Sequence, residues 1–387
     1  MELTNQLKEL AEFTPEGLPV ISLYLNTQAD QTGRANFDPF VRKELKRAVQ
    51  SYPSGSTQRQ SVEADVERIQ DYLDNELQAS TNGVAIFACN GANGFFKALQ
   101  LEAPIENHRL YIYRQPHLFP LARLSEQFQR YAALITDTNS ARLYVFAIGG
   151  KVGEETIQND SISRTKVGGW SQARYQRHVE NYYQQHAKEV VEMIEKVVRE
   201  ENIDRIVLAG DEVILPILRE QLPQQLEEKI VEGLHLDIKT PEHEVAARTL
   251  EALREYDAQD DVERVGQLLD EYRSGGLAVA GASETLMALA MGQVDELFLT
   301  ASLREIEVEK EEIDKSLVAG AATGALKEVV TDTITEADSE PKRKLVIQVA
   351  DELLAKAQQT AAKVKFIEDA ALLEEFGGIA ATLRYRI

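Results

Sequence analysis

Gly168-Gly169-Trp170-Ser171-Gln172 combines a paired glycine with a neutral amide side chain, and cationic residues crowd it on both sides. Arg164 and Lys166 precede the stretch, Arg174 and Arg177 follow it, and no Asp or Glu falls between Arg164 and His178. Adjacent glycines lack a Cβ, so their backbone can take positive φ and approach another molecule closely. Arg and Lys beside such a turn suit phosphate groups. The Gln172 amide offers both a donor and an acceptor and carries no charge, so it can orient water without titrating. Together these residues suggest a finger that reaches into a nucleic-acid site. The same stretch also reads as a linker, with Ser171 as a favoured N-cap of the helix that follows.

Other side chains give weaker patterns. Asp137 and the pair Asp211-Glu212 each follow a strand-like run, which is where a ribonuclease-H-type fold holds Mg²⁺. Two-metal hydrolysis requires several converging carboxylates, and the sequence supplies no identifiable third. Acids at strand ends otherwise serve as caps and turn residues. The histidines make no ligand spacing: His178 and His186 fall eight apart on one helix, His235 and His243 stand alone, and surface positions are expected. The single cysteine, Cys89, excludes an internal disulfide and a cysteine-cluster metal site and fits a reducing cytoplasm. No metal and no cofactor is expected.

The chain has 387 residues and a formal charge of −22, so the cationic island at 164–177 is out of place in it. Such a charge argues against indiscriminate nucleic-acid binding, since phosphate affinity comes from neutralising cations, and leaves room for one local patch. No run approaches about 18 apolar residues, so no membrane span is expected. Met1 to Phe13 lacks the basic start and apolar run of a signal peptide.

The elements that must position these residues follow from periodicity. Leu18–Leu25 reads as a buried strand, residues 40–51 and 57–80 as helices, and 83–88 and 109–113 as strands. Tyr131–Asp137 and Ala141–Ile148 form an expected β-hairpin around Thr138-Asn139-Ser140. Ser171–Asn202 reads as one long helix, followed by a strand at 204–209, a short helix at 215–221 and a mostly helical 243–272. A short strand-like turn and a helix are expected within 276–291, a strand at 294–300, and an acidic surface segment at 305–339. A helix at 345–360, strands at 363–367 and 378–385, and a helix at 370–376 close the chain. Alternation of strands and helices throughout gives α/β character.

Two stretches carry a family resemblance. Phe376-Gly377-Gly378-Ile379-Ala380-Ala381-Thr382-Leu383-Arg384-Tyr385 resembles the closing Gly-Ile-Ala-Ala-Ile-Leu-Arg-Tyr signature of the class I release factors of archaea and eukaryotes and their relative Pelota. Ala278–Thr300 resembles the helix and following strand of the same domain. The resemblance spans nearly the whole chain and implies three domains: an N-terminal one at 1–125, a middle ribonuclease-H-like one at 126–272 carrying the glycine loop, and a C-terminal one at 273–387 of the kink-turn-binding ribosomal-protein type. The family loop is Gly-Gly-Gln-Ser. Here Gly168 and Gly169 match, Trp170 stands at the glutamine position, and the Gly169-x-x-Gln172 spacing resembles the loop of the peptidyl-tRNA hydrolases of ribosome quality control. Bacterial members of the superfamily are the nearest likeness.

The resemblance implies a cytoplasmic factor that hydrolyses the peptidyl-tRNA ester on the ribosome, with no membrane contact. Gly168 and Gly169 would give backbone freedom and Gln172 would position water. Arg164, Lys166, Arg174 and Arg177 would hold RNA phosphates. Trp170 is open between a base-stacking role and a core anchor. No Asn-Ile-Lys-Ser stretch is present and Tyr111-Ile112-Tyr113 lacks the family's cysteine, so rescue of stalled ribosomes is expected rather than stop-codon reading. Two other readings stand beside this one. The first is a non-catalytic, Pelota-like docking factor whose C-terminal domain binds a translational GTPase. The second is a metal-dependent nuclease built on Asp137.

Overall fold

A computed structural model describes all residues except 1–2, 16, 29–36, 102–103, 128–129, 148–149, 159–169, 303–305, 307–328, 333–339 and 387. The chain divides into two compact units, one made of residues 1–127 with 261–387 and the other of 128–260.

In the first unit, α1 (Leu3–Glu12) leads to β1 (Val20–Asn26), followed by the helices α2 (Asp38–Gln50) and α3 (Thr57–Asn75). Strands β2 (Gly83–Cys89), β3 (Phe95–Leu101) and β4 (Arg109–Tyr113) and helix α4 (Phe119–Gln127) complete its first part. β1 pairs antiparallel with β2 and with β4, and β2 with β3. Successive side chains of a strand point to opposite faces, and both faces of β1 are buried. Ile21, Leu23 and Leu25 pack with Val41, Leu45, Val62 and Ile69 of α2 and α3, while Tyr24 joins a second core. That double burial explains the unbroken apolar run Val-Ile-Ser-Leu-Tyr-Leu.

The same unit holds the C-terminal elements. These are β10 (Ala278–Ala280), α9 (Ala282–Ala290), β11 (Val294–Thr300), β12 (Val329–Asp332), α10 (Glu340–Gln359), β13 (Lys363–Ile367) and β14 (Ile379–Leu383). Their sheet runs β10-β14-β11-β13, with β11 and β13 parallel and the other pairs antiparallel. β12 instead pairs antiparallel with β4 at the edge of the first sheet. Leu286, Leu297, Leu353 and Phe366 share one apolar cluster with Leu10, Tyr24, Phe87 and Leu121. The glycines of the closing signature sit where the chain turns into β14: Gly377 and Gly378 have φ of 60° and 78°, which residues with a Cβ rarely take. The helix expected over 370–376 is instead two short 3₁₀ turns, Ala370–Leu372 and Glu374–Phe376. Asp369 caps the first by accepting from the Ala371 N–H at 3.1 Å, and Leu373 leaves helical geometry between them.

Two buried polar junctions brace this unit. His117 Nδ1 lies 2.7 Å from Asp351 Oδ2, and Asp351 Oδ1 accepts from the N–H groups of Leu118 and Phe119 at 2.8 and 3.2 Å, so a carboxylate from α10 caps the start of α4. The Tyr24 hydroxyl donates to the His117 carbonyl at 2.5 Å, and burial holds that phenol well above its usual range. On α3, Asp65 accepts from the Asn90 N–H at 2.7 Å and Ser61 from the Gly91 N–H at 3.0 Å, fixing the β2–β3 turn. Desolvation pushes the Asp65 carboxyl up to about 7.

The second unit contains β5 (Tyr131–Thr136), β6 (Ser140–Ala147), β7 (Gly150–Gln158), α5 (Trp170–Glu201), β8 (Arg205–Gly210), α6 (Ile214–Gln221), α7 (Gln224–Glu227) and β9 (Ile230–Leu234). Its sheet order is β7-β6-β5-β8-β9, antiparallel on the β7-β6-β5 side and parallel across β5-β8-β9. Ala132, Leu134, Leu143 and Val145 face α5, whereas Ala133, Ile135, Tyr144 and Phe146 face the start of α8 (Glu242–Arg273) through Val245. The α8 helix ends in the first unit, where Val265 and Leu268 pack on Phe298. No helix among the described residues is long and apolar enough to cross a membrane.

Candidate functional site

The cationic glycine stretch lies between the edge strand β7 and α5. Arg164, Lys166, Gly168 and Gly169 fall outside the described residues. Trp170 opens α5, so Gln172 stands in the first helical turn and Arg174 in the second. The first N–H groups of a helix have no intrahelical acceptor and carry partial positive charge, so the start of α5 is a place where donors gather. With 3.6 residues per turn, positions 170, 174 and 177 fall on one stripe of α5. Position 172 lies about 200° round from position 170. Arg177 is exposed.

The base of α5 is well anchored. His186, 1% exposed, places Nε2 3.1 Å from the carbonyl oxygen of Asp137, and Ala187, Val190, Ile194 and Val197 continue the buried stripe on the sheet. This corrects the expectation of surface positions for the histidines, which holds for His235 and His243 and fails for His117 and His186. A helix that must bury one stripe against a sheet takes whichever residue its phase supplies, and His186 is accommodated because a main-chain oxygen meets its ring. None of the described side chains between Arg177 and Gln185 is buried. At 1.5 Å per residue, Trp170 lies about 24 Å along the helix from His186. α5 is thus packed on the sheet from His186 onward, and the Trp170–Arg177 stretch lies at its other end.

The acids of the alternative reading take up local hydrogen bonds. Asp137 Oδ1 accepts from the N–H groups of Asn139 and Ser140 at 2.8 and 2.7 Å and closes the β5–β6 turn. Asp211 Oδ1 accepts from the Val213 N–H at 2.6 Å ahead of α6. Among the described residues no group of three or more His, Cys, Asp or Glu is placed to hold a metal ion. Cys89 is buried, and burial raises its thiol to about 11, so it is not a nucleophile near neutral pH.

Residues 116–254 match the sequence model of the bacterial archaeo-eukaryotic release factor family 10, and residues 258–387 match that of domain 3 of the eukaryotic-type release factor, eRF1. Over these two stretches the chain is similar to the archaeo-eukaryotic release factors. It is 26% identical to peptide chain release factor subunit 1 of Methanocaldococcus jannaschii over 99% of this chain and 96% of that protein. It is 25% identical to the Archaeoglobus fulgidus protein of the same name over 100% and 97%. Among solved structures, ribosome-bound archaeal Pelota aligns over 99% of this chain and 94% of its own, with 13% identity and a TM-score of 0.41. The release-factor match over 116–254 contains the whole glycine stretch, including the positions outside the described residues.

One feature of the unit formed by 1–127 and 261–387 has no counterpart among the residues that the sequence singled out. On α2, Arg42, Lys43, Lys46 and Arg47 are all exposed, whereas Val41, Glu44, Leu45 and Ala48 are buried. The signal was present as cations at i, i+1, i+4 and i+5 within a stretch of helical spacing.

Proposed function

We propose that this release-factor homologue acts on stalled ribosomes and hydrolyses the ester of peptidyl-tRNA through the stretch Gly168–Gln172. The observation that carries the reading is alignment over nearly the full length of both chains with proteins named peptide chain release factor subunit 1. Gly168 and Gly169 let the backbone approach the ester, and Gln172 with the free N–H groups at the start of α5 orients water and the developing oxyanion. Arg164, Lys166, Arg174 and Arg177 hold RNA phosphates, and Trp170 stacks on a base. The middle region is of ribonuclease-H type, supported by the order β7-β6-β5-β8-β9, in which three antiparallel strands are followed by two parallel ones. The C-terminal region, supported by the match over 258–387, is of the kink-turn-binding ribosomal-protein type and receives a translational GTPase. The site of action is the cytoplasm.

A second reading has its own observation. Trp170 occupies the position of the family's glutamine, which favours a Pelota-like factor that docks without cleaving. The test is to add the protein, with and without Gln172→Ala, to stalled ribosome–nascent-chain complexes. The hydrolytic reading expects peptide release that the substitution reduces by roughly 10²–10³. Co-sedimentation with ribosomes and no release would replace it with the docking reading.

A further inference from the structure

The exposed cations of α2 form one face, with the exposed Asp38 one turn before Arg42 at its N-terminal end. At about 100° per residue, positions 42, 46, 43 and 47 cover an arc of about 140°, and the buried positions 41, 44, 45 and 48 occupy the other side. Lys43 and Arg47 flank the buried Glu44 carboxylate at 3.3 and 3.9 Å, yet their side chains keep 76% and 65% exposure. Arg42 and Lys46 pair with no described carboxylate. The neighbouring helix α3 is mixed, with Glu63, Glu67, Asp71 and Asp74 exposed beside Arg68. In a chain of charge −22 such a face is a local exception, and long-range repulsion of polyanions leaves only local patches to bind them. The cores of protein–protein interfaces are enriched in aromatic residues and depleted in Lys. On α2 the one aromatic residue, Phe40, is half-buried against His108, and Pro39 is the one exposed apolar residue.

We propose that this face of α2 is an RNA contact surface, taking the phosphodiester backbone of RNA without reading its sequence and independently of the stretch at 164–177. It rests on the ribosome-directed reading only for its setting, since naked RNA suffices to test it. Phosphate contacts release counterions, so log affinity falls linearly with log salt by about 0.7 per neutralised phosphate on a single strand. The Arg42→Gln/Lys46→Gln variant leaves Lys43 and Arg47 in place beside Glu44, so the buried carboxylate keeps its partners and the helix keeps its packing.

The experiment titrates a fluorescein-labelled uridine oligonucleotide of about 20 residues with the full chain at several salt concentrations. The double variant is expected to lose about tenfold in affinity near physiological salt and to flatten the log–log slope by about 1.4. The charge-preserving Arg42→Lys/Lys46→Arg variant is expected to match wild type. Unchanged affinity and slope in the glutamine variant, with all binding lost instead in Arg174→Gln/Arg177→Gln, would overturn the proposal. So would displacement of the RNA by polyglutamate at equal charge concentration, which would mark the face as a dock for acidic protein. Failure of peptide release would leave this titration readable, so the two proposals stand or fall separately.

Discussion

The ring of His186 is seated on the main chain at Asp137, with Nε2 3.1 Å from that carbonyl oxygen. A carbonyl can only accept, so the Nε2 nitrogen donates and its tautomer is set by the contact. The Asp137 carboxylate is meanwhile turned to its own hairpin, holding the Asn139 and Ser140 N–H groups. One residue thus closes the β5–β6 turn with its side chain and clamps α5 with its backbone. Among the described residues of α5, the clamp falls where the buried stripe begins.

Replacing His186 with Ala leaves the Asp137 carbonyl with the Thr136 hydroxyl as its donor and opens a small void, a combination expected to cost roughly 1–3 kcal/mol. Urea unfolding measures the loss. Hydrogen exchange is expected to rise first in α5 around residues 184–190, with little change in β8. His186→Gln, which still presents a donor, is expected to recover part of the stability. Equal losses in the two variants would show that packing alone holds the helix there.

The β5–β6 hairpin, α5 and β8 were legible because each is a local pattern: alternating runs around Thr138-Asn139-Ser140, then a helical stripe of Val, Ile and Ala. Expected limits of 171–202 for the long helix compare with Trp170–Glu201 observed. β7 was not legible. Its sequence Gly-Lys-Val-Gly-Glu-Glu-Thr-Ile-Gln has almost no apolar side, since an edge strand buries little and owes its pairing to β6 rather than to its own residues. β9 and β12 are likewise short edge strands defined by their partners. Burial of His186 and the use of Asp137 as a turn cap depend on contacts about 50 residues apart in sequence, which no local spacing encodes. The sequence displayed the cations of α2 openly, but their meaning required knowing which side of that helix is covered.

Asp65 supplies a pH dependence. Its carboxyl titrates near 7 in the folded chain and from a reference of 3.8 unfolded. Between these values the unfolded chain gives up the proton that the folded chain keeps, so stability falls as pH rises through the window and levels off above it. At about 1.4 kcal/mol per pKa unit the full effect is on the order of 4 kcal/mol. Asp65→Asn removes the titration while keeping an oxygen to accept from Asn90. The stability difference between wild type and variant is therefore expected to shift in the variant's favour between pH 4 and pH 8. A difference independent of pH would show that Asp65 is ionised throughout.

Asp351 joins α10 to α4 through three contacts, to His117 and to the Leu118 and Phe119 N–H groups, with 2% exposure. Removing one member of a buried pair strands the other, at about 3–5 kcal/mol. Asp351→Ala is expected to lower the melting temperature steeply. Asp351→Asn keeps one oxygen for the helix cap and is expected to cost less. Because α4 and α10 belong to one compact unit, a single cooperative transition should shift in both variants. Equal stability of wild type and Asp351→Ala would show that the junction contributes nothing net.

Positions 170 and 172 separate the two roles proposed for the glycine stretch. On a helix that starts at Trp170 they stand about 200° apart, so one side chain cannot replace the other by a small adjustment. Stacking on a base contributes about 1–3 kcal/mol, and its loss weakens binding whether or not chemistry occurs. Water positioning acts on the chemical step alone. Trp170→Ala is therefore expected to raise the factor concentration needed for half-maximal release about 10- to 100-fold while leaving the saturated single-turnover rate near that of wild type. Gln172→Ala is expected to do the reverse. Trp170→Gln, which restores the family's Gly-Gly-Gln in sequence, is expected to lose stacking and to leave Gln172 in its role. Single-turnover release across a concentration series distinguishes these outcomes. A fall in the saturated rate confined to the Trp170 variants would move the chemistry to position 170 and remove Gln172 from the mechanism.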